Sequence, residues 1–285
     1  MSFIIVCYLP FGGFLPLSQK HRKSDSGAAM RIRAMKIGII GTGNIGSTLA
    51  RKLRSADHDV RIANSRGVDG VKQLAAEVGV TAVDVRGAVE GVDVIVLSIP
   101  FFAVTALPVN LFSSVGTDVV LIDTGNYYPG MRDPHIPEID DGLPESVWVS
   151  MQVGRPVIKA FNNVLAYTLA ELGQPEGSLG RLAAAVAGDD MRSKLIAMKL
   201  VNQTGFDPVD AGSLAESWRQ QPCTPAYCCD YDAQTMRKAL AAAVAGGAAK
   251  ILNQMPQFFA RLGSNPTHAD IVAANRATNV VVDEP

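Results

Sequence analysis

Lys36-Ile37-Gly38-Ile39-Ile40-Gly41-Thr42-Gly43-Asn44-Ile45-Gly46 is the stretch on which the fold turns. Its first five residues form a short, mostly apolar run, and that run breaks at Gly41-Thr42-Gly43-Asn44. From Ile45 to Leu53 the apolar residues return at helical spacing, with Leu49, Ala50 and Leu53 along one side. Strand, tight turn and helix therefore follow in that order. Without side chains, Gly41 and Gly43 permit the turn and the close approach of a pyrophosphate, while Gly46 lets the helix settle against the strand. The N–H groups at the helix start then face negative charge. The spacing predicts a dinucleotide site over Gly41, Thr42, Gly43, Asn44, Ile45 and Gly46, against the plainer alternative of a glycine-rich structural turn.

The same unit repeats downstream. Residues 58–63 read as a second strand, 71–78 as a helix, 81–83 as a short third strand, and 92–99 as a nearly all-apolar fourth. Such a run suits a sheet covered on both faces. Residues 101–111 are expected to cross over to a fifth strand at 119–122, ending at Asp123. A sixth follows at 156–161, with a helix at 163–172. A βαβ series of this kind implies an α/β fold with a doubly wound, mostly parallel Rossmann sheet. Residues 123–144 are rich in Gly, Pro, Asp and Tyr and are expected to form a long loop walling a binding site.

Beyond residue 175 the pattern predicts strands at 182–187 and 206–209, an amphipathic helix at 192–203, a break at 222–232 and a terminal helix at 269–278. Alanine-rich residues 233–254 are helical in character, although Gly246 and Gly247 argue against one uninterrupted helix. The expected organisation is a nucleotide-binding domain at 35–173 and a smaller carboxyl-terminal α/β domain at 174–285 that caps the site, supplies a dimer contact, or both. Residues 1–34 are an extension in which charge follows the apolar part, the reverse of a secretory signal. It is too broken for a membrane span. Met30 or Met35 is the expected true start.

The end of the second strand refines the nucleotide. An NAD-preferring site places an acidic side chain there to accept from the ribose hydroxyls. This chain has Asn64-Ser65-Arg66, whose hydrogen-bond donors and fixed charge suit a 2′-phosphate, so NADP(H) is the expected cofactor. Ser98, Ile99 and Pro100 close the fourth strand, Asp123 to Asn126 the fifth, and Lys159, Phe161, Asn162 and Asn163 the sixth. All are placed for the nicotinamide end, and each has a structural role as an equal alternative. His135 and Asn162 are weak catalytic candidates; an exposed loop histidine is the competing reading of the first. Trp218, Cys223, Tyr227, Cys228, Cys229 and Tyr231 make an aromatic and polar loop suited to covering bound cofactor or to a subunit interface.

Bulk properties narrow the partners. The 26 basic and 27 acidic side chains give a net charge of −1, and no basic stripe suggests nucleic acid. The four cysteines lack metal-site spacing, no histidine cluster is present, and a reducing cytoplasmic setting without a metal or stable membrane insertion is expected.

The segments Met35 to Gly46, Asn64-Ser65-Arg66, Lys159-Ala160-Phe161-Asn162 and Val186-Ala187-Gly188-Asp189-Asp190 resemble the NADPH-dependent coenzyme F420 reductase family and its F420-independent relatives. The resemblance runs from Met35 to about Asp210. It implies a Rossmann domain with a smaller carboxyl-terminal domain, a homodimer, and hydride transfer between NADP(H) and a small-molecule acceptor such as coenzyme F420 or a flavin. It also implies pyrophosphate contacts from Thr42, Gly43, Asn44 and Ile45, 2′-phosphate contacts from Ser65 and Arg66, and Ser98, Pro100 and Ala160 towards the nicotinamide. Residues 214–230 depart from the compact deazaflavin-binding reductases and leave acceptor identity open. The rival readings are an NADPH-dependent reductase of a small imine or carbonyl compound, and a non-catalytic NADP(H)-sensing or partner-binding protein.

Overall fold

In the computed structural model, which describes residues 34–252, 262–263, 265–278 and 281, the strands alternate with helices from the first glycine turn onward. β1 (Lys36–Ile40) leads into α1 (Asn44–Ser55), then β2 (Asp59–Ala63), α2 (Lys72–Val78), β3 (Thr81–Ala82) and β4 (Val94–Leu97). A 3-10 helix at Phe101–Ala106 carries the chain to β5 (Val120–Asp123), followed by α3 (Pro137–Asp140), α4 (Glu145–Val153), β6 (Ile158–Ala160) and α5 (Ala166–Glu171). β7 (Ala183–Ala187), α6 (Met191–Gln203) and β8 (Asp207–Asp210) come next. A second 3-10 helix at Leu214–Gln220, α7 (Ala233–Ala242), α8 (Gly247–Leu252) and α9 (His268–Thr278) complete the described chain.

The eight strands form one sheet in the order β3-β2-β1-β4-β5-β6-β7-β8, parallel throughout except where β6 meets β7. The alternation of side chains explains both layers. Ile37, Ile39, Val60, Ile62, Val94, Val96, Val120 and Ile122 face one side and pack on Leu49, Ala50 and Leu53 of α1 and on Leu200 and Val201 of α6. Ile95, Leu97 and Leu121 face the other and pack on Phe101, Trp148 and Val149. Because both faces are covered, the central strands β1, β4 and β5 read as nearly continuous apolar runs rather than alternating ones.

Two features differ from the expectations. The strands assigned to a smaller second domain extend the first sheet, with β7 hydrogen-bonded to β6, so residue 173 does not mark a break in the sheet. The small side chains of Ala183 to Ala187, all buried, let β7 lie inside a sheet with α7 on one face and the main core on the other. In keeping with Gly246 and Gly247, the alanine-rich segment is two helices, α7 and α8, parted by residues 243–246 with Gly246 at φ +73°. Finally, α3 lies inside the stretch 123–144 expected to be a loop, and α4 follows it where no element was expected, because its inward face opens with Glu145 and Ser146 before Trp148 and Val149, masking helical periodicity. Among the described residues no helix is long and apolar enough to cross a membrane. The extension at 1–34 lies, but for residue 34, outside the described residues.

Candidate functional site

The glycine turn is built by close packing. Gly41 has φ +109°, and a Cβ there would stand 2.0 Å from the carbonyl oxygen of Ser98. A Cβ on Gly46 would stand 2.0 Å from the carbonyl oxygen of Gly41. Neither position accepts a side chain without moving backbone. The Gly41 N–H donates to the Ala63 carbonyl at 2.8 Å, tying the turn to the end of β2. α1 starts at Gly43 with no side-chain cap and no acidic residue in its first turn. An uncapped helix start free of negative charge, approached by a chain stripped of side chains, is a cradle that fits a pyrophosphate.

At the end of β2, Ser65 and Arg66 are exposed and Asn64 is half-buried. The Asn64 amide donates to Thr42 Oγ1 and to the Gly70 carbonyl, both at 3.1 Å, while its Oδ1 accepts from the Arg66 N–H at 2.9 Å. Asn64 therefore ties the glycine turn to the loop after β2. The outward-facing polar groups are those of Ser65 and Arg66, and no carboxylate stands among residues 64–66.

Across the switch point between β1 and β4 lie the ends of β4, β5 and β6, the half of such a sheet that faces a nicotinamide. Ser98 and Ile99 are half-buried there and Pro100 is exposed. Ala160 packs in the core with Ile158 and Val186, leaving only backbone for a ligand. His135 is exposed and its Nδ1 pairs with Asp140 Oδ2 at 2.8 Å, with Tyr127 OH donating to the other oxygen of that carboxylate at 2.9 Å. Asn162 is buried, and its amide donates to Asn126 Oδ1 at 3.0 Å and to the Gln220 carbonyl at 2.7 Å, while its Oδ1 accepts from Gln220 Nε2 at 2.8 Å. With donors and acceptor engaged, Asn162 is a clamp between the β6 end and the second 3-10 helix. Asn162 has no idle donor, whereas the bond to Asp140 engages only one ring nitrogen of the exposed His135.

Beneath these strand ends is a cluster that sequence reasoning missed as a unit. Lys159 is fully buried, and its ammonium donates to the Gly125 carbonyl, Glu145 Oε2 and Ser146 Oγ, each at 3.1 Å. Ser146 in turn donates to Asp123 Oδ2 at 2.6 Å, and Asp123 Oδ1 accepts from the Gly125 N–H at 2.8 Å. Burial pushes the Glu145 carboxyl up to about 7, with Lys159 opposing and Asp123 reinforcing the rise. The only available signal was Lys159 itself, a lysine inside an apolar strand, which demands a buried acid somewhere.

Residues 214–230 fold over the ends of β6 and β7. Leu214, Ser217 and Gln220 form the buried stripe of the second 3-10 helix at i, i+3 spacing, and Gln220 Nε2 also donates to the Ala185 carbonyl at 3.3 Å. Asn163 Nδ2 donates to the Ala226 carbonyl at 3.1 Å, and the Cys228 N–H donates to the Asn163 carbonyl at 3.1 Å. Tyr128 and Tyr227 pair through their hydroxyls. Cys223, Cys228 and Cys229 are buried thiols, and burial raises Cys223 and Cys229 to about 12, the opposite of a reactive thiolate.

Comparison with known proteins agrees with this geometry. Residues 36–127 match the family model described as NADP oxidoreductase, coenzyme F420-dependent. The chain is 55% identical over 105 residues to the Escherichia coli (strain K12) protein YjhV, an alignment covering 37% of this chain and 77% of that one. It is similar to the crystal structure of SMa0349 from Sinorhizobium meliloti, with TM-score 0.55, 29% identity, and coverage of 66% of this chain and 89% of that one. A structure from Arthrobacter sp. FB24 described as a putative F420-dependent NADP-reductase shares the fold, with TM-score 0.53, 18% identity, and coverage of 81% of this chain and 94% of that one. The glycine cradle, the acid-free edge after β2 and these matches together place the chain in the family of NADP oxidoreductases, coenzyme F420-dependent, and hence among the NAD(P)-dependent oxidoreductases.

Proposed function

We propose that this protein transfers a hydride between NADP(H) and a flavin-like acceptor, with coenzyme F420 the first to be tried. The observation that carries the reading is the cradle at Gly41 to Gly46 flanked by the exposed Ser65 and Arg66, with no carboxylate to meet a ribose hydroxyl. The backbone from Gly41 to Gly46 would hold the pyrophosphate and Ser65 with Arg66 the 2′-phosphate, while Ser98 and Pro100 would lie beside the nicotinamide. Asn64 acts by joining the first two of these sites through Thr42.

When bound, NADPH supplies the reactive hydrogen, so the chain needs neither a metal nor a covalent nucleophile. The work left to the protein is placement and exclusion of water. The β5 and β6 ends are made rigid by the Asn126–Asn162–Gln220 bonds, and residues 214–230 form the adjoining cover under which an acceptor ring would be held. His135 is the group available to orient a water, through an imidazole already fixed by Asp140.

The test is the absorbance of the deazaflavin band when purified protein is mixed with NADPH and oxidised coenzyme F420. Bleaching is expected. No bleaching from protein shown to bind NADPH would exclude F420 and turn the search to flavins, then to small imines and carbonyl compounds.

A further inference from the structure

The buried cluster at the ends of β5 and β6 holds two carboxylates, Asp123 and Glu145, against one ammonium, Lys159. Three groups of that kind cannot be neutral with both acids ionised. Either the cluster carries one net negative charge in a dry interior, or one acid is protonated. Asp123 accepts from Ser146 Oγ at 2.6 Å and from the Gly125 N–H at 2.8 Å, so each of its oxygens is met by a donor. Glu145 shares the ammonium and is buried at the start of α4. Glu145 is thus the acid that exchanges its proton. The titratable groups facing it are Lys159 from β6, Asp123 from β5 and the Cys223 thiol from the loop after the second 3-10 helix, and the Tyr127 N–H donates to it from the loop after β5.

This cluster sits under the strand ends that, on the reading above, receive the nicotinamide. Oxidised nicotinamide carries one positive charge that the reduced ring lacks. We infer that the Lys159–Glu145–Asp123 cluster is a charge device that sets the relative affinity for oxidised and reduced nucleotide, with proton loss from Glu145 favouring the oxidised form. The inference rests on the proposed NADP(H) site. Lys159 and Glu145 serve in it as positioning and electrostatic groups, and neither touches the cofactor.

The sign and size follow from elementary electrostatics. With Glu145 protonated the cluster is neutral and indifferent to the ring's charge. With Glu145 ionised it attracts the cation, and the attraction of two unit charges across a protein interior of effective dielectric about 20 is on the order of a factor of ten in binding. The ratio of Kd for NADP+ to Kd for NADPH is therefore expected to fall about tenfold as pH rises from 5.5 to 8.5. The midpoint should lie where Glu145 titrates, at about 7.

The experiment is calorimetric titration of the full protein with NADP+ and with NADPH across that pH range, for wild type and Glu145→Gln. A second readout, the protonated-carboxyl infrared band that differs between the two proteins without nucleotide, follows the proton on Glu145 directly. A falling ratio in wild type that is flat in Glu145→Gln, with the infrared band lost over the same pH interval, supports the inference. A flat ratio in wild type whose Glu145 titrates, or the same fall in both proteins, overturns it. Failure of both nucleotides to bind would instead overturn the cofactor site itself.

Discussion

Glu145 makes a prediction about stability that needs no ligand. Its carboxyl is raised from an ordinary 4.5 to about 7 because burial outweighs the ammonium of Lys159. Below pH 4.5 the acid is protonated in both folded and unfolded chains, so it imposes no penalty. Between those two values the unfolded chain gives up the proton and the folded one keeps it, so stability falls as pH rises and levels off above about 7. The interval corresponds to about 3 kcal/mol, a sizeable part of the ~5–15 kcal/mol that a folded protein has. Glu145→Gln keeps a side-chain oxygen for Lys159 and cannot titrate. At about 2–4 °C per kcal/mol for a chain of this size, the Tm of the variant relative to wild type should rise by roughly 5–10 °C between pH 5 and pH 8. Melting curves by circular dichroism at half-unit pH steps measure that difference directly, since groups common to both proteins cancel. Parallel Tm–pH curves for the two proteins would refute the reasoning.

Replacing Arg66 with Ala removes fixed charge at the 2′-phosphate and should weaken NADPH about tenfold or more while leaving NADH nearly unchanged, as read by fluorescence titration. Gly46→Ala drives a methyl to 2.0 Å from the Gly41 carbonyl oxygen; a shifted turn, a stability lowered by about 1–3 kcal/mol of overpacking and lost nucleotide binding are expected, and wild-type affinity would show that the turn is not the cradle. Native Cys223 and Cys229 should resist alkylation at pH 8 and react on unfolding, because their thiols are held at about 12; rapid labelling of the native protein at either position would contradict the burial. Asn162→Ala severs the bonds to Asn126 and Gln220 and should expose residues 214–230 to limited proteolysis without unfolding the sheet, with an unchanged digestion pattern as the opposing result.

How much could be seen in the sequence varies by element for physical reasons. The first five strands and α1 were plain because apolar runs and glycine spacing are local signals, and the turn at Gly41 to Gly46 is a property of consecutive residues. The joining of β7 and β8 to the same sheet was not, since an alanine-rich strand such as Ala183 to Ala187 carries no mark of its neighbour. Lys159 was noticed as a strand-end residue, yet its partners Glu145 and Ser146 lie on α4, 14 and 13 residues away, in a helix whose buried acid hides its own periodicity. Asn64 read as a phosphate donor and proves to be a tether to Thr42 and Gly70, a distinction that rests on where its amide points. Asn162, similarly, changes from candidate catalyst to clamp once Gln220 is seen beside it.

The most direct test of the central claim is the affinity of the purified protein for NADPH and for NADH, measured side by side by calorimetry at one ionic strength. A cradle at Gly41 to Gly46 completed by Ser65 and Arg66 predicts that NADPH binds at least about tenfold more tightly, the worth of one charge-assisted contact. Equal affinities would contradict the 2′-phosphate assignment, and no binding of either nucleotide would contradict the reading of the site as a whole.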